Sequence, residues 1–421
     1  MVIHVDPSRT YQVIEGFGAS VTDASAFLIR HRLDARQRAV LMRELFDAKV
    51  GLGLGLTRIT IGASDFSQSH YSYDDVPPGQ TDPVLARFSI EPARADVLPV
   101  VRQAMRANPR LRVFASPWSA PGWMKTSGSM IKGKLSPAHY ESFARYLQRT
   151  IAAFQAERVP VYALTVQNEP SFQPENYPGM HMDASERAAF VGRHLGPLLE
   201  RTRSRVRILD WDHNWDQPQS PLAVLADPVA RKYVAGTAWH CYAGDVAAQS
   251  QVHDAHPDKE TWFTECAGGE WMPEWQKPLA WMTRNLIIGS TRNWARGVIL
   301  WNLALDENSG PHLGGCGNCR GVVTINQKTG AITRNVEYYV LGHASRFVRP
   351  GARRIGSDTG IEGLETVAFQ NPGKGNVVLI VLNTAEQARN FSASIGGERF
   401  STTLAAGSVA TFTWPGGNTR R

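Results

Sequence analysis

The sequence predicts an α/β fold: a (β/α)8 barrel of the TIM type over residues 15–348, carrying an all-β sandwich side domain made of residues 1–14 and 349–421. Three observations lead there. Runs rich in apolar and β-branched residues alternate with helical patterns eight times. Successive predicted strands end abruptly on polar or aromatic residues, the place where such barrels gather their functional groups. After about Pro350 the helical pattern stops, and short strand-like runs separated by Gly, Asn and Pro replace it. A doubly wound open sheet is the alternative for the same alternation.

Taken in order, residues 2–5 and 11–14 read as two short strands around Asp6-Pro7-Ser8. The barrel begins with a strand at 17–19, followed by helices from about Ala24 and over 35–49, the latter capped by Asp34. Gly51-Leu-Gly-Leu-Gly55 precedes a strand instead of following one, so it lacks phosphate-loop geometry and reads as a helix-to-strand turn. Further strands fall at 56–61, 112–115, 161–166, 206–209, 237–239, 261–263 and 298–301. Helices are predicted between them at 92–107, 137–157, 185–202, 222–233, 246–255 and 275–292, with a last one at 335–347. Strands at 367–369, 377–382, 393–395, 401–404 and 410–414 make a module too small for a comfortable core alone. The strands before Glu15 are therefore expected to complete it.

Composition narrows the function. Hydrophobic residues at 43% and charged residues at 20% describe an ordinary globular chain. The net charge of +7 is scattered, with no basic run of the kind that binds nucleic acid or a membrane surface. No apolar stretch of about 18 residues is present, so stable membrane insertion is not expected. The N-terminus shows no signal-peptide pattern; we expect an extracellular or periplasmic mature chain, with the cytoplasm as the alternative. Oligomeric state is left open. Cys316-Gly-Asn-Cys319 lacks the further ligands a zinc site requires, and reads as a closed loop or two free thiols. No metal or other cofactor is expected.

The chemistry collects at the strand ends. Tyr162-Ala-Leu-Thr-Val166 reads as a buried strand that runs into Gln167, Asn168 and Glu169 and stops at Pro170. Thr261-Trp-Phe-Thr-Glu265 repeats the design before a small-residue loop. The other ends supply Arg58 and Asp65, Trp118, Asp210-Trp-Asp212-His213, His240-Cys-Tyr242 and Trp301. Two carboxylates on strands four and seven, walled by aromatic rings, are what glycoside hydrolysis requires: one protonates the leaving oxygen, and the other attacks the anomeric carbon or activates water.

Six ordered motifs resemble glycoside hydrolase family 30, in its glucosylceramidase (acid β-glucosidase) branch. They are Glu15-Gly-Phe-Gly-Ala-Ser-Val-Thr-Asp23, Ala115-Ser-Pro-Trp-Ser-Ala-Pro-Gly-Trp-Met-Lys-Thr126, Gln167-Asn-Glu-Pro170, Thr264-Glu-Cys266, Trp301-Asn-Leu-Ala-Leu305 and Tyr339-Val-Leu-Gly-His343. The resemblance implies a retaining double displacement, with Glu169 as acid/base and Glu265 as nucleophile. It implies that Asn168 holds the sugar 2-hydroxyl, that Asp65 and Trp118 bind the outer glycone hydroxyls, and that Tyr242 and Trp301 line the same subsite. Arg58 would sit beneath the nucleophile and keep it ionised. Glu169 must be protonated to act first, so its pKa is expected to be raised. The substrate implied is a carbohydrate or glycolipid: a β-D-glucoside of the glucosylceramide type, with an endo-β-1,6-glucanase or β-xylosidase-like activity as the alternative. The loop Gly310-Pro-His-Leu-Gly-Gly-Cys-Gly-Asn-Cys-Arg320 departs from the animal lysosomal enzymes and would border the aglycone.

Plainer readings stand beside these. Arg58 can be an interior ion pair without a catalytic role, and His240 can simply orient its neighbours. Trp123 is a core filler, Cys266 packs, Glu175 and Glu270 are surface residues, and Asp212 and His213 have no assigned role. A metal hydrolase would show a His-x-His pair at strand one and a serine hydrolase a G-x-S-x-G elbow; neither is present. A non-catalytic carbohydrate-binding protein is disfavoured because both glutamates are retained.

Overall fold

The computed structural model describes residues 1–373 and 375–416. Eight strands close into a parallel barrel: Gly16–Ala19, Leu56–Ile61, Arg112–Pro117, Val161–Thr165, Arg207–Asn214, Val234–His240, Glu260–Glu265 and Ala295–Leu300. These are barrel strands one to eight. Closure is made by strand eight against strand one, with Val298 opposite Phe17 and Leu300 opposite Ala19. Gly18 is required at this seam, because a Cβ there would lie 1.8 Å from the Leu56 carbonyl oxygen.

Inside the barrel the two-residue period of a strand stacks side chains in layers. The lower layer is apolar: Leu56, Phe114, Ala163, Leu209, Ala238, Trp262 and Ile299 form one buried cluster. Two residues further along the same strands come Arg58, Ser116, Thr165, His240, Thr264 and Trp301, so the next layer is polar and points at the mouth. Strand five would place Trp211 there by the same count. Instead, its pairing with strand six slips between Trp211 and His213, and Trp211 and Asp212 adopt φ of 76° and 52°. This bulge turns Asp212 inward in place of the indole.

The helices follow the predicted order with interruptions. Thr22 and Asp34 cap Asp23–His31 and Ala35–Phe46, the second through a full capping box. The predicted 92–107 helix breaks at Asp96 into Glu91–Ala95 and Val97–Ala107, and 222–233 breaks at Asp227, whose side chain caps Pro228–Tyr233. The stretches 185–202 and 275–292 each carry a π-helical segment, Val191–Leu195 and Thr283–Gly289. No helix among the described residues is long and apolar enough to cross a membrane.

The side domain is one seven-stranded sheet folded into a sandwich. Residues 2–14 form a single strand, Val2–Ile14, where two were expected. It pairs parallel to Arg389–Ile395 and antiparallel to Ala352–Ser357, and register shifts after Asp6 absorb the Pro7 region as bulges. The strands Glu398–Leu404 and Val409–Trp414 lie at opposite ends of the hydrogen-bonded order, yet Phe400 stacks 4.7 Å from Phe412 and 5.3 Å from Trp414. The sheet therefore folds over a core of Ile3, Leu379, Phe391 and these rings. Its other face, with Val367, Phe369, Val378 and Ile380, joins the barrel's own hydrophobic cluster. Arg292 donates to the Thr366 carbonyl at 2.5 Å, and His343 meets Thr411 at 3.0 Å across the same boundary.

Candidate active site

Arg58 is the first element of the site, rising from the polar layer with no exposed surface. It donates to Glu265 Oε2 at 2.5 Å, Asp212 Oδ2 at 2.7 Å and Asn168 Oδ1 at 2.7 Å. Its guanidinium lies 4.7 Å from the Trp118 ring and 5.5 Å from Trp301. Those two indoles stack at 5.0 Å with 18° between planes, and Phe66 packs edge-on against Trp301. The expected ion pair is thus present, and it is made directly to the carboxylate at the end of strand seven.

Asp212, which the sequence left without a role, is the hub beneath the mouth. Besides Arg58 it accepts hydrogen bonds from Ser116 (2.8 Å), Thr165 (2.6 Å) and Thr264 (2.7 Å) and contacts His240 Nε2 at 3.0 Å. Burial alone would raise its carboxyl, but Arg58 and His240 outweigh that and hold it far below the usual carboxylate range.

His240 bridges Asp212 to Glu169: its Nδ1 lies 3.0 Å from Glu169 Oε1. Burial disfavours the imidazolium, yet the charges of Glu265, Asp212 and Glu169 around it push the ring up to about 9. This overturns one expectation. The Glu169 carboxyl sits below its ordinary value, not above it: burial raises it, but the His240 hydrogen bond and the charges of His213, His240 and Arg58 together outweigh burial. His240 Nδ1 and Glu169 Oε1 are thus positioned to share a proton across one hydrogen bond. His213, also without an assigned role, lies 3.9 Å from the same Glu169 oxygen.

Glu169 itself is held at φ 46°, a left-handed conformation rare for a non-glycine residue, by its N–H bond to the Asp212 carbonyl. Asn168 uses its carbonyl on Arg58, so its NH2 remains for a ligand hydroxyl. Glu265 is brought inward by a slip in pairing between strands six and seven, where His240 faces Glu265 and Trp239 faces Phe263. The Tyr242 hydroxyl donates to Glu265 Oε1 at 3.0 Å. Burial raises the Glu265 carboxyl above its ordinary value, a rise that His240 and Arg58 limit. Ligand atoms of Glu169, His240 and Glu265 lie within 4.8 Å of one another, so the two carboxylates are close enough to act on one bond.

Asp65 completes the wall beside Trp301. It is 8% exposed, its Oδ1 has no hydrogen-bond partner, and burial together with the charges of Glu265 and Glu169 pushes it up to about 8. The loop before Arg320 closes behind it: Leu313 N–H donates to the Asp65 carbonyl, and Gly315 packs so tightly that a Cβ would lie 2.5 Å from Asp65 Cβ. That loop thus backs Asp65 as well as running on toward strand seven. Tyr177, which the sequence gave no reason to single out, also feels the charges of Asp65, Glu169 and Glu265, and burial raises its phenol. All nine residues predicted for the site converge at this mouth.

Both cysteine pairs are disulfides. Cys241, between His240 and Tyr242, joins Cys266, the residue after Glu265; Cys316 joins Cys319. Cys266 therefore ties two site strands together, where packing alone was expected. A concavity of about 640 Å³ lies at the opposite end of the barrel around Arg112, Tyr162 and Arg207, away from this cluster.

Residues 14–348 match the TIM-barrel domain of glycosyl hydrolase family 30, and residues 351–412 match the beta sandwich domain of the same family. The chain is 35% identical over 400 residues to an endo-1,6-beta-D-glucanase of Neurospora crassa, covering 91% of this chain and 81% of that protein. It is 28% identical over 443 residues to the lysosomal acid glucosylceramidase of Mus musculus, covering 98% and 83%. Among solved structures, the endo-beta1,6-glucanase BT3312 superposes with a TM-score of 0.93 at 32% identity, covering 99% of this chain and 94% of that one. The chain belongs to glycosyl hydrolase family 30 and is a glycoside hydrolase.

Proposed function

We propose that this protein is a retaining endo-β-1,6-glucanase, with Glu265 as nucleophile and Glu169 as acid/base. The carboxylate pair carries the mechanism: oxygens within 4.8 Å match the close spacing of retaining enzymes, about 5–5.5 Å between carboxyl groups, and not the wider gap of inverting ones. Greater identity to the Neurospora glucanase than to the mouse glucosylceramidase favours the β-1,6-glucan reading over the glucosylceramide one. Two disulfides fit an extracellular or periplasmic setting.

The first step needs an ionised Glu265 and a proton at Glu169. Arg58 and the Tyr242 hydroxyl hold the charge of Glu265 toward the anomeric carbon. The proton shared between His240 and Glu169 moves to Oε1 and then to the glycosidic oxygen as the bond breaks, giving a glycosyl ester on Glu265. Loss of negative charge at Glu265 in that ester weakens the pull on the His240 proton. Glu169, now a carboxylate, takes a proton from the incoming water, which attacks the anomeric carbon and frees Glu265. The unpartnered Oδ1 of Asp65 and the NH2 of Asn168 are free to bind glycone hydroxyls.

The test is a product profile on β-1,6-glucan, glucosylceramide and xylo-oligosaccharides in parallel. The proposal expects a ladder of short β-1,6-linked gluco-oligosaccharides and little release from the other two. Faster cleavage of glucosylceramide, or glucose alone from chain ends, would overturn it.

A further inference from the structure

Among the described residues, five aromatic side chains are more than a third exposed: Phe172, Tyr242, Trp271, Trp275 and Tyr339. Four of them, Phe172, Tyr242, Trp271 and Trp275, lie on segments leaving the C-terminal ends of barrel strands four, six and seven, and Tyr339 lies in the first turns of the last helix, Val336–Ser345. Leaving such rings in water forgoes burial, and here most of the exposure falls on segments that follow the strands leading to Glu169, His240 and Glu265.

Three of the five lie close together: Trp271 and Trp275 are four residues apart on the segment after strand seven, and Tyr339 touches Trp275. Trp271 and Tyr242 line one small cavity of about 220 Å³ together with the Cys241–Cys266 bridge, so this group starts one cavity away from the nucleophile's own hydrogen-bond donor. The Trp271 ring lies against the backbone of Gly269, where a Cβ would come within 1.9 Å of it. Gly268–Gly269 pairs with Cys319–Arg320, whose turn is closed by the Cys316–Cys319 disulfide. Further out, Trp275 meets Tyr339 edge-on, with centroids 5.3 Å apart. Trp271 and Trp275 each remain 50% exposed and Tyr339 43%.

We infer that Trp271, Trp275 and Tyr339 form a binding track for a β-glucan chain, holding glucosyl units beyond the one bound between Asp65 and the carboxylates. Flat rings on a braced support, continuous with the catalytic mouth, suit the C–H faces of successive sugars, and the disulfide-closed turn serves to hold the first ring in place. This rests on the endo-glucanase reading and adds the residues that grip the chain.

The experiment uses full-length protein with Glu265→Gln to prevent turnover, and measures retardation in native gels containing soluble β-1,6-glucan. Trp271→Ala and Trp275→Ala are each expected to weaken retention about tenfold, equivalent to about 1.4 kcal/mol. With Glu265 restored, the ratio of kcat/KM on β-1,6-glucan to kcat/KM on an aryl β-glucoside is expected to fall by a similar factor. Trp275→Ala guards against misfolding, since half of that side chain is already exposed. Retention within twofold of the parent for both variants would overturn the track, as would equal losses on polymer and aryl glucoside. Lost binding to glucosylceramide vesicles with glucan retention intact would reassign the rings to a lipid surface and overturn it too. A wild type that cleaves the aryl glucoside but neither binds nor cuts β-1,6-glucan would overturn the proposed function itself, and is recognised because no variant is needed to see it.

Discussion

Replacing Arg58 by methionine tests how the nucleophile is kept charged. The side chain fills similar volume but removes the cation bonded to Glu265 and Asp212, both buried. Breaking a buried pair by deleting one partner costs about 3–5 kcal/mol of stability, because the remaining charge is left unpaired. The kinetic cost follows from the same geometry. Charge centres about 4 Å apart attract by about 4 kcal/mol at an effective dielectric near 20, or roughly 10³-fold in the balance between ionised and neutral Glu265. His240, 3.9 Å from Glu265 Oε2, supplies part of the missing charge and keeps the loss from being total. We therefore expect kcat/KM on an aryl β-glucoside to fall by roughly 10²–10³ at the wild-type optimum, with the acid limb of the pH profile displaced to higher pH. Arg58→Lys, which keeps the charge but loses the fork, should fall between the two. The assay is kcat/KM against pH, paired with urea unfolding. A variant within tenfold of wild type, with its acid limb unmoved, would refute the assignment of Arg58 to the nucleophile.

Glu169→Ala should slow substrates with poor leaving groups far more than activated aryl glycosides, since only the former need the proton; equal losses would count against its role. Asp65 is raised to about 8 in the fold, so its contribution to stability is complete below the unfolded carboxyl's pKa near 4 and is lost as pH rises through about 8. Asp65→Asn should therefore raise the melting temperature more at pH 8 than at pH 4 while weakening glucoside binding; a uniform shift across pH would argue against that. Removing Cys241–Cys266, whose partners have a sequence separation of 25, should cost about 3–4 kcal/mol by loop entropy and lower kcat through Tyr242 and Glu265. Removing Cys316–Cys319, separated by three, should cost about half as much stability by the same relation and act chiefly on glucan binding.

The barrel was legible because each strand carries its own period: Leu56 and Arg58, or Trp262 and Thr264, announce an interior face that turns from apolar to polar toward the mouth. Glu169 and Glu265 stood out because each ends such a run. Asp212 escaped assignment because its inward position depends on a bulge at Trp211, and a strict two-residue count puts the indole inside instead. The strand Ala352–Ser357 escaped because Arg353 and Arg354 mask its alternation. Its identity comes from pairing with Val2–Ile14, a contact across almost the whole chain. The lowered Glu169 was likewise out of reach, since it depends on His240 contacting two carboxylates from strands remote in sequence. Exposure of Trp271, Trp275 and Tyr339 has no signature in their identities, which alone suggest core.

The central claim is that Glu265 forms the covalent bond to the sugar. It is tested most directly by incubating the protein with an activated 2-deoxy-2-fluoro-β-glucoside and locating the added mass by peptide sequencing. Modification of Glu265, absent in Glu265→Gln, is the predicted result. Modification of Glu169, or turnover of the reagent with no protein adduct at any stage, would contradict it.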